Sequence, residues 1–197
     1  MSDSDIITSI KPLIAIFEKL GIPYYIGGSV ASSAFGKARS TLDVDIVAPI
    51  TIAVVIKLAE SLKDTYYVSE NDIRQAVETG ASFNIVHLET MLKVDVFVLK
   101  KREYDQQAFE RKLKDHLDAE NPETTFFLAA PEDIVLNKLE WYGSGGEVSQ
   151  RQWADVIGVL RVQSDKLNVQ YLQSWAKKLG INSLLEKAFK ESQVFHW

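Results

Sequence analysis

The chain contains no cysteine in 197 residues, so neither a disulfide nor a thiolate metal site is open to it. That fits a reducing compartment. Histidine is scarce as well: His87, His116 and His196 are dispersed, without the spacing of a histidine metal site. No apolar run approaches the ~20 residues needed to span a bilayer. The opening MSDSDIITSIKPLIAIFEKL lacks both the basic start and the unbroken apolar stretch of a signal peptide. A soluble, cytoplasmic protein without a membrane partner is therefore expected. Positive charge is not in surplus either, with 22 basic against 27 acidic residues and a net charge of −5. Wrapping of duplex nucleic acid draws on a basic excess, so extensive duplex binding is disfavoured. A local basic cleft stays compatible with an acidic chain. There is no Gly-x-Ser-x-Gly elbow and no Walker lysine motif, which argues against hydrolase and P-loop chemistry. Internal repeats and low-complexity stretches are also missing.

What is present points to an ordinary globular chain: 46% hydrophobic and 25% charged residues are enough for a buried core. The length suits one domain, or a core with a modest appendage. Ile6, Ile10, Leu13, Ile14, Phe17 and Leu20 recur at helical spacing, and Gly21 followed by Pro23 stops that helix. Tyr24-Tyr25-Ile26 reads as a short strand running into Gly27-Gly28, with a short helix from Ser29 to Phe35. Leu42 to Val47 is a second strand, ended by Pro49. Thr51 to Lys63 is helical by pattern, and Tyr66 to Ser69 is a strand candidate. Phe83 to Leu88 and Leu92 to Leu99 form an expected hairpin across Glu89-Thr90-Met91. Tyr104 to Leu117 reads as a charged helix, Asn121-Pro122-Glu123 as a break, and Thr124 to Ala129 as a further strand. From Pro131, which stands where a helix tolerates proline best, the pattern is helical to the end, jointed at Gly143-Ser144-Gly145-Gly146. The expected fold class is α/β (α+β), a small mixed sheet flanked by helices and followed by a helical carboxyl-terminal region. The expected boundary lies near residue 120, giving a core of 1–120 and a helical region of 121–197 packed on it.

Three aspartates carry the chemistry. Side chains alternate along a strand, so Asp43 and Asp45 of Leu42-Asp43-Val44-Asp45-Ile46 face one way, with Leu42, Val44 and Ile46 on the opposite, buried face. Two carboxylates roughly 7 Å apart on one strand face suit a hard, oxygen-seeking cation. Asp95 is the one charge within Val94 to Leu99, and a carboxylate among core residues is costly unless something positive meets it. On a neighbouring strand it would complete a three-carboxylate cluster. Two such charges about 4 Å apart repel by about 4 kcal/mol at an effective dielectric of 20, a deficit that divalent metal relieves. Gly27 and Gly28 let the backbone approach phosphate oxygens, and Ser29 adds a hydroxyl at a helix amino end, where anions are favoured.

Gly27-Gly28-Ser29, Asp43-x-Asp45 and Asp95, taken in that order, resemble the DNA polymerase β-like nucleotidyltransferase superfamily. Arg39-Ser40-Thr41-Leu42-Asp43-Val44-Asp45 is similar to the Arg-x-Thr-x-Asp-x-Asp form of its abortive-infection toxin subgroup. Pro131-Glu132-Asp133-Ile134, Lys138-Leu139, Arg151 and Asp155 resemble that subgroup's helical block, so the likeness spans roughly residues 24 to 160. The resemblance implies the nucleotidyltransferase fold and metal-dependent transfer of a nucleoside monophosphate from a nucleoside triphosphate to an acceptor hydroxyl. It implies Asp43, Asp45 and Asp95 as catalytic residues and ligands of Mg2+, with Mn2+ as a substitute. It implies Gly27, Gly28, Ser29, Arg39 and Lys138 as nucleotide-binding residues, supported by Arg151 and Asp155. The acceptor it leaves open among tRNA, protein and a small molecule, and for a toxin it implies an antitoxin partner. Gly143 to Glu147 departs from the basic link of the subgroup, which bears on the acceptor.

Read without the resemblance, Lys138 and Arg39 are solvated cations, and Arg151 with Asp155 is an i,i+4 ion pair. Trp141, Trp153, Trp175 and Trp197 stand mostly among apolar neighbours and read as core, although Trp141-Tyr142 could also stack on a base. Three rival readings stand beside the enzyme. One is a non-catalytic nucleotide-binding regulatory module of the same fold. Another is an antibiotic nucleotidyltransferase, whose acidic acceptor pocket could use Glu132 or Glu140. The last is a structural protein with plain surface acids.

Overall fold

A computed structural model describes residues 3–117 and 124–194. The expected boundary near 120, the break at Asn121-Pro122-Glu123, His196 and Trp197 lie outside the described residues. The chain divides into two compact units, Met1–Gly27 with Ser40–Leu128, and Gly28–Arg39 with Ala129–Trp197.

The first unit is built on a seven-stranded mixed sheet. Its strands are β1 (Tyr25–Ile26), β2 (Asp43–Ala48), β3 (Tyr66–Tyr67), β4 (Ser82–His87), β5 (Lys93–Val98), β6 (Leu113–His116) and β7 (Thr125–Leu128). They lie in the order β3-β4-β5-β2-β1-β7-β6. β5 runs parallel to β2 and β7 parallel to β1, while the other neighbours are antiparallel. Both central strands alternate strictly. Val44, Ile46 and Ala48 of β2 and Val94, Val96 and Val98 of β5 are buried, and the intervening residues are half-buried on the other face. Leu42 does not join the buried face; it precedes the strand and is 77% exposed.

Helix α1 (Asp3–Lys19) buries Ile10, Leu13, Ile14 and Phe17. It closes at Gly21, whose φ of 66° needs no strain in glycine, with the Ile22 N–H donating to the Phe17 carbonyl at 2.8 Å. Pro12 interrupts the hydrogen-bond ladder of this helix. Beside it the buried Tyr66 hydroxyl accepts from the Leu13 N–H at 3.0 Å and donates to the Ser9 carbonyl at 2.7 Å. The phenol thus bridges two main-chain groups that would otherwise meet directly, and its burial pushes its pKa up. A short 3₁₀ turn, Ile52–Val54, leads into α3 (Val55–Leu62) within the expected helical stretch.

Two elements depart from the periodicity. Helix α4 (Glu70–Thr79) buries only Ile73 and Ala76, too few for an apolar stripe to announce it. Its ends are marked instead, by Ser69 accepting the Asp72 N–H at 3.2 Å and by left-handed Gly80. The expected helix over Tyr104 to Leu117 is a helix only as far as α5 (Glu103–Glu110); the remainder forms β6. β7 presents an open edge there, and pairing Leu113–His116 along it satisfies main-chain groups that a longer helix would leave unmatched.

The second unit is helical. It holds α2 (Gly28–Phe35), α6 (Pro131–Ser144), α7 (Gln150–Gln163), α8 (Val169–Lys178) and α9 (Asn182–Ser192). Its core joins Val30 and Phe35 of α2 to Val135 and Leu139 of α6, Val156 and Leu160 of α7, and Trp175, Leu185 and Phe189 behind them. No helix of the described residues is long and apolar enough to cross a membrane.

Candidate active site

The carboxylates of the first unit are placed by strand register. β2 and β5 pair in parallel with Asp43 opposite Lys93 and Asp45 opposite Asp95. Adjacent strands lie about 4.8 Å apart and alternate residues about 7 Å apart, so these four side chains form a two-by-two grid on one face. Three corners are negative and one is positive. The Thr41 hydroxyl donates to Asp43 Oδ1 at 2.9 Å, which orients that carboxylate at the entry to the strand. The Gly27 N–H donates to the Asp45 carbonyl at 2.8 Å, tying the glycine turn to the strand that carries the aspartates.

Lys93 shares this face, and sequence reasoning did not name it. Its Nζ lies 2.7 Å from Asp95 Oδ2. The Asp95 hydrogen bond holds the ammonium above the usual lysine pKa; partial desolvation opposes this, and the charges of Asp95, Asp43 and Asp45 reinforce it. The signal was available, because a lysine two residues before Asp95 on one strand must share its face. Among the described residues no three acidic or histidine side chains form a ready-made metal group. The donor set nonetheless fits a hard divalent ion. Three carboxylates share a half-buried face, and oxygen donors of this kind suit such an ion.

In the second unit, α2 opens at Gly28 with a φ of 54°, the left-handed region that favours glycine, and Ser29 follows in its first turn. Close contact between α2 and α7 fixes the segment after the helix. A Cβ on Gly36 would stand 2.9 Å from the Val159 nitrogen, and the Gln163 amide donates to the Phe35 carbonyl at 2.9 Å. That contact brings Arg39 to Asp155. The guanidinium grips the carboxylate with Nε and Nη2, each at 2.8 Å, and Nη2 also donates to the Ser29 hydroxyl. Lys138 of α6 donates to the same carboxylate at 2.8 Å.

Side-chain exposures of 5% for Asp155 and 10% for Lys138 make this a buried cluster. Burial alone would raise the Asp155 pKa, but the hydrogen bonds and charges of Arg39 and Lys138 pull it below the ordinary carboxylate value. Lys138 is therefore not a solvated helix cation. The i,i+4 pair of Arg151 with Asp155 is not made; Asp155 turns inward to Arg39 and Lys138, leaving Arg151 exposed one turn earlier on α7.

Other candidate side chains make local contacts. Glu132 is buried and accepts the Asn168 N–H at 2.8 Å, which holds the entry to α8. His87 is buried in the β4–β5 turn, its Nδ1 3.0 Å from the Thr90 hydroxyl. Of the tryptophans expected in the core, Trp175 is buried, and Trp153 packs at a tilt against Tyr142 with ring centroids 5.1 Å apart. Trp141 is 60% exposed and belongs to no core.

No family model matches the sequence, and no curated protein matches it. Solved structures do match over nearly the whole chain. The antibiotic-resistance factor ANT(2'')-Ia is similar at a TM-score of 0.56 and 14% identity, covering 98% of this chain and 97% of that one. An antigenic nucleotidyltransferase-like protein from Paracoccidioides brasiliensis is similar at a TM-score of 0.53 and 18% identity, covering 98% and 96%. The seven-stranded mixed sheet with its helices is thus a nucleotidyltransferase fold.

Proposed function

We propose that the chain is a metal-dependent nucleotidyltransferase that moves a nucleoside monophosphate from a nucleoside triphosphate to an acceptor hydroxyl. The observation that carries this reading is the in-register pairing of Asp45 with Asp95, with Asp43 on the same face, in a chain of this fold.

Asp43 and Asp45 are the residues that would hold magnesium, or manganese in its place, with Asp95 as the third ligand. Bound ions would neutralise triphosphate charge and lower the pKa of the attacking hydroxyl. Asp95 accepts the proton of the acceptor hydroxyl, whose oxygen attacks the α-phosphorus in line as pyrophosphate departs. Within the Gly27-Gly28-Ser29 turn the Gly27 N–H is held by the Asp45 carbonyl, and the Gly28 and Ser29 N–H groups at the helix amino end are the ones that would meet phosphate oxygens. The resemblance assigns Arg39 and Lys138 to nucleotide binding. Their shared grip on Asp155 holds both cations in fixed positions.

Asp43→Asn combined with Asp45→Asn should abolish transfer from an α-labelled triphosphate and weaken magnesium binding, with the fold retained by circular dichroism. Unchanged transfer by the double variant removes the proposal. Triphosphate binding without turnover, across tRNA, protein and small-molecule acceptors, would favour a non-catalytic module instead.

Two acceptor classes divide the reading further. The toxin resemblance favours tRNA or protein, with an antitoxin as partner, whereas the structural likeness to an antibiotic-resistance factor favours a small hydroxylated molecule. Growth arrest on expression supports the first; drug resistance on expression supports the second.

A further inference from the structure

We propose that Lys93 is a built-in counter-ion of the carboxylate face, a tethered cation that a divalent ion must displace from Asp95 before binding. The inference rests on the reading that Asp43, Asp45 and Asp95 hold the ion, and it adds a residue to which that reading gives no role.

The grid itself makes the argument. Asp43, Asp45 and Asp95 stand on one face, and adjacent carboxylates repel one another. Lys93 fills the fourth corner, opposite Asp43 and on the same strand as Asp95, with its ammonium 2.7 Å from Asp95 Oδ2. The bond neutralises the member of the trio that the proposed mechanism needs free. It is also weakly held. The Lys93 side chain is 45% exposed and ends on a flexible four-carbon stem, so water receives the ammonium at little cost.

A buried or guanidinium partner would be harder to dislodge, as the second unit illustrates. There Arg39 grips Asp155 with two nitrogens in a cluster whose carboxylate is 5% exposed. These two acid–base contacts therefore differ in kind: one is a fixed bracket, the other a displaceable plug. A plug has two consequences. It keeps the face from repelling itself when no ion is present, and it raises the ion concentration needed to fill the site.

The test measures binding of magnesium alone, and of manganese alone, to the full chain by calorimetry and thermal shift, without nucleotide. Lys93→Met should bind either ion about fivefold more tightly, the factor an exposed ion pair of this kind is worth. It should also melt lower than the parent without metal and gain more from added metal. Lys93→Arg, which keeps the charge and holds a carboxylate more firmly, should bind either ion no more tightly than the parent. Equal or weaker metal affinity in Lys93→Met, with binding still lost in Asp43→Asn/Asp45→Asn, overturns the role of Lys93 and leaves the nucleotidyltransferase reading standing. If the parent binds neither ion, or if the double asparagine variant binds as well as the parent, the reading itself fails and this inference with it.

Discussion

Removing the Asp155 carboxylate should be among the most damaging single changes available to this chain. Asp155→Ala leaves the Arg39 guanidinium and the Lys138 ammonium without the anion that three hydrogen bonds of 2.8 Å now direct at them. Breaking a buried pair from one side costs about 3–5 kcal/mol, because the orphaned charge cannot return to water without unfolding its surroundings. Lys138, at 10% exposure, sits in that situation; Arg39, at 23%, is partly relieved by solvent, which places the expected loss near the lower end of that range. The assay is urea unfolding followed by circular dichroism, with stability extrapolated at constant slope. Adding Lys138→Met to Asp155→Ala should recover part of the loss, since it removes one stranded charge. A pH series supplies a second readout. The folded pKa of Asp155 is depressed, so its contribution is complete above the unfolded carboxylate value of about 4 and is lost as pH falls through the lower folded value. The parent should therefore lose more stability on acidification below about pH 4 than Asp155→Ala does. A loss under about 1 kcal/mol for Asp155→Ala, or parallel acid profiles, would show that the cluster is not the bracket described here.

Tyr66→Phe deletes the hydroxyl between the Leu13 N–H and the Ser9 carbonyl and should cost about 1–3 kcal/mol in thermal or urea unfolding; a loss within error would mean that α1 closes its own ladder past Pro12. Gly36→Ala places a methyl 2.8 Å from the Ser32 carbonyl oxygen and 2.9 Å from the Val159 nitrogen, and the overpacking should destabilise by about 1–3 kcal/mol. Because that contact carries the chain toward Arg39, the same variant should also show a weakened Arg39–Asp155 link, read as non-additivity with Asp155→Ala. Additive losses would separate the two features.

Local pattern determined what depends on neighbours in the chain. Strand alternation places Asp43 and Asp45 on one face whatever the rest of the protein does, and the same rule places Lys93 beside Asp95. Apolar spacing, Gly21 and Pro131 likewise marked α1 and the helices of the tail, because a helix terminus is written within one turn of itself. Only the tertiary structure decided which strand lies beside which. The pairing of Asp45 with Asp95 spans a long stretch of chain, and its register follows from matching the buried valines of β5 to Val44, Ile46 and Ala48 of β2. β6 is a strand because β7 has an edge to fill, against the helical pattern of its own residues. The grouping of α2 with α6 and α7, and the meeting of Arg39, Lys138 and Asp155, have no local signature. A charge can be buried only where distant residues supply its partner, and nothing within a few residues of Asp155 reveals that Arg39 will arrive.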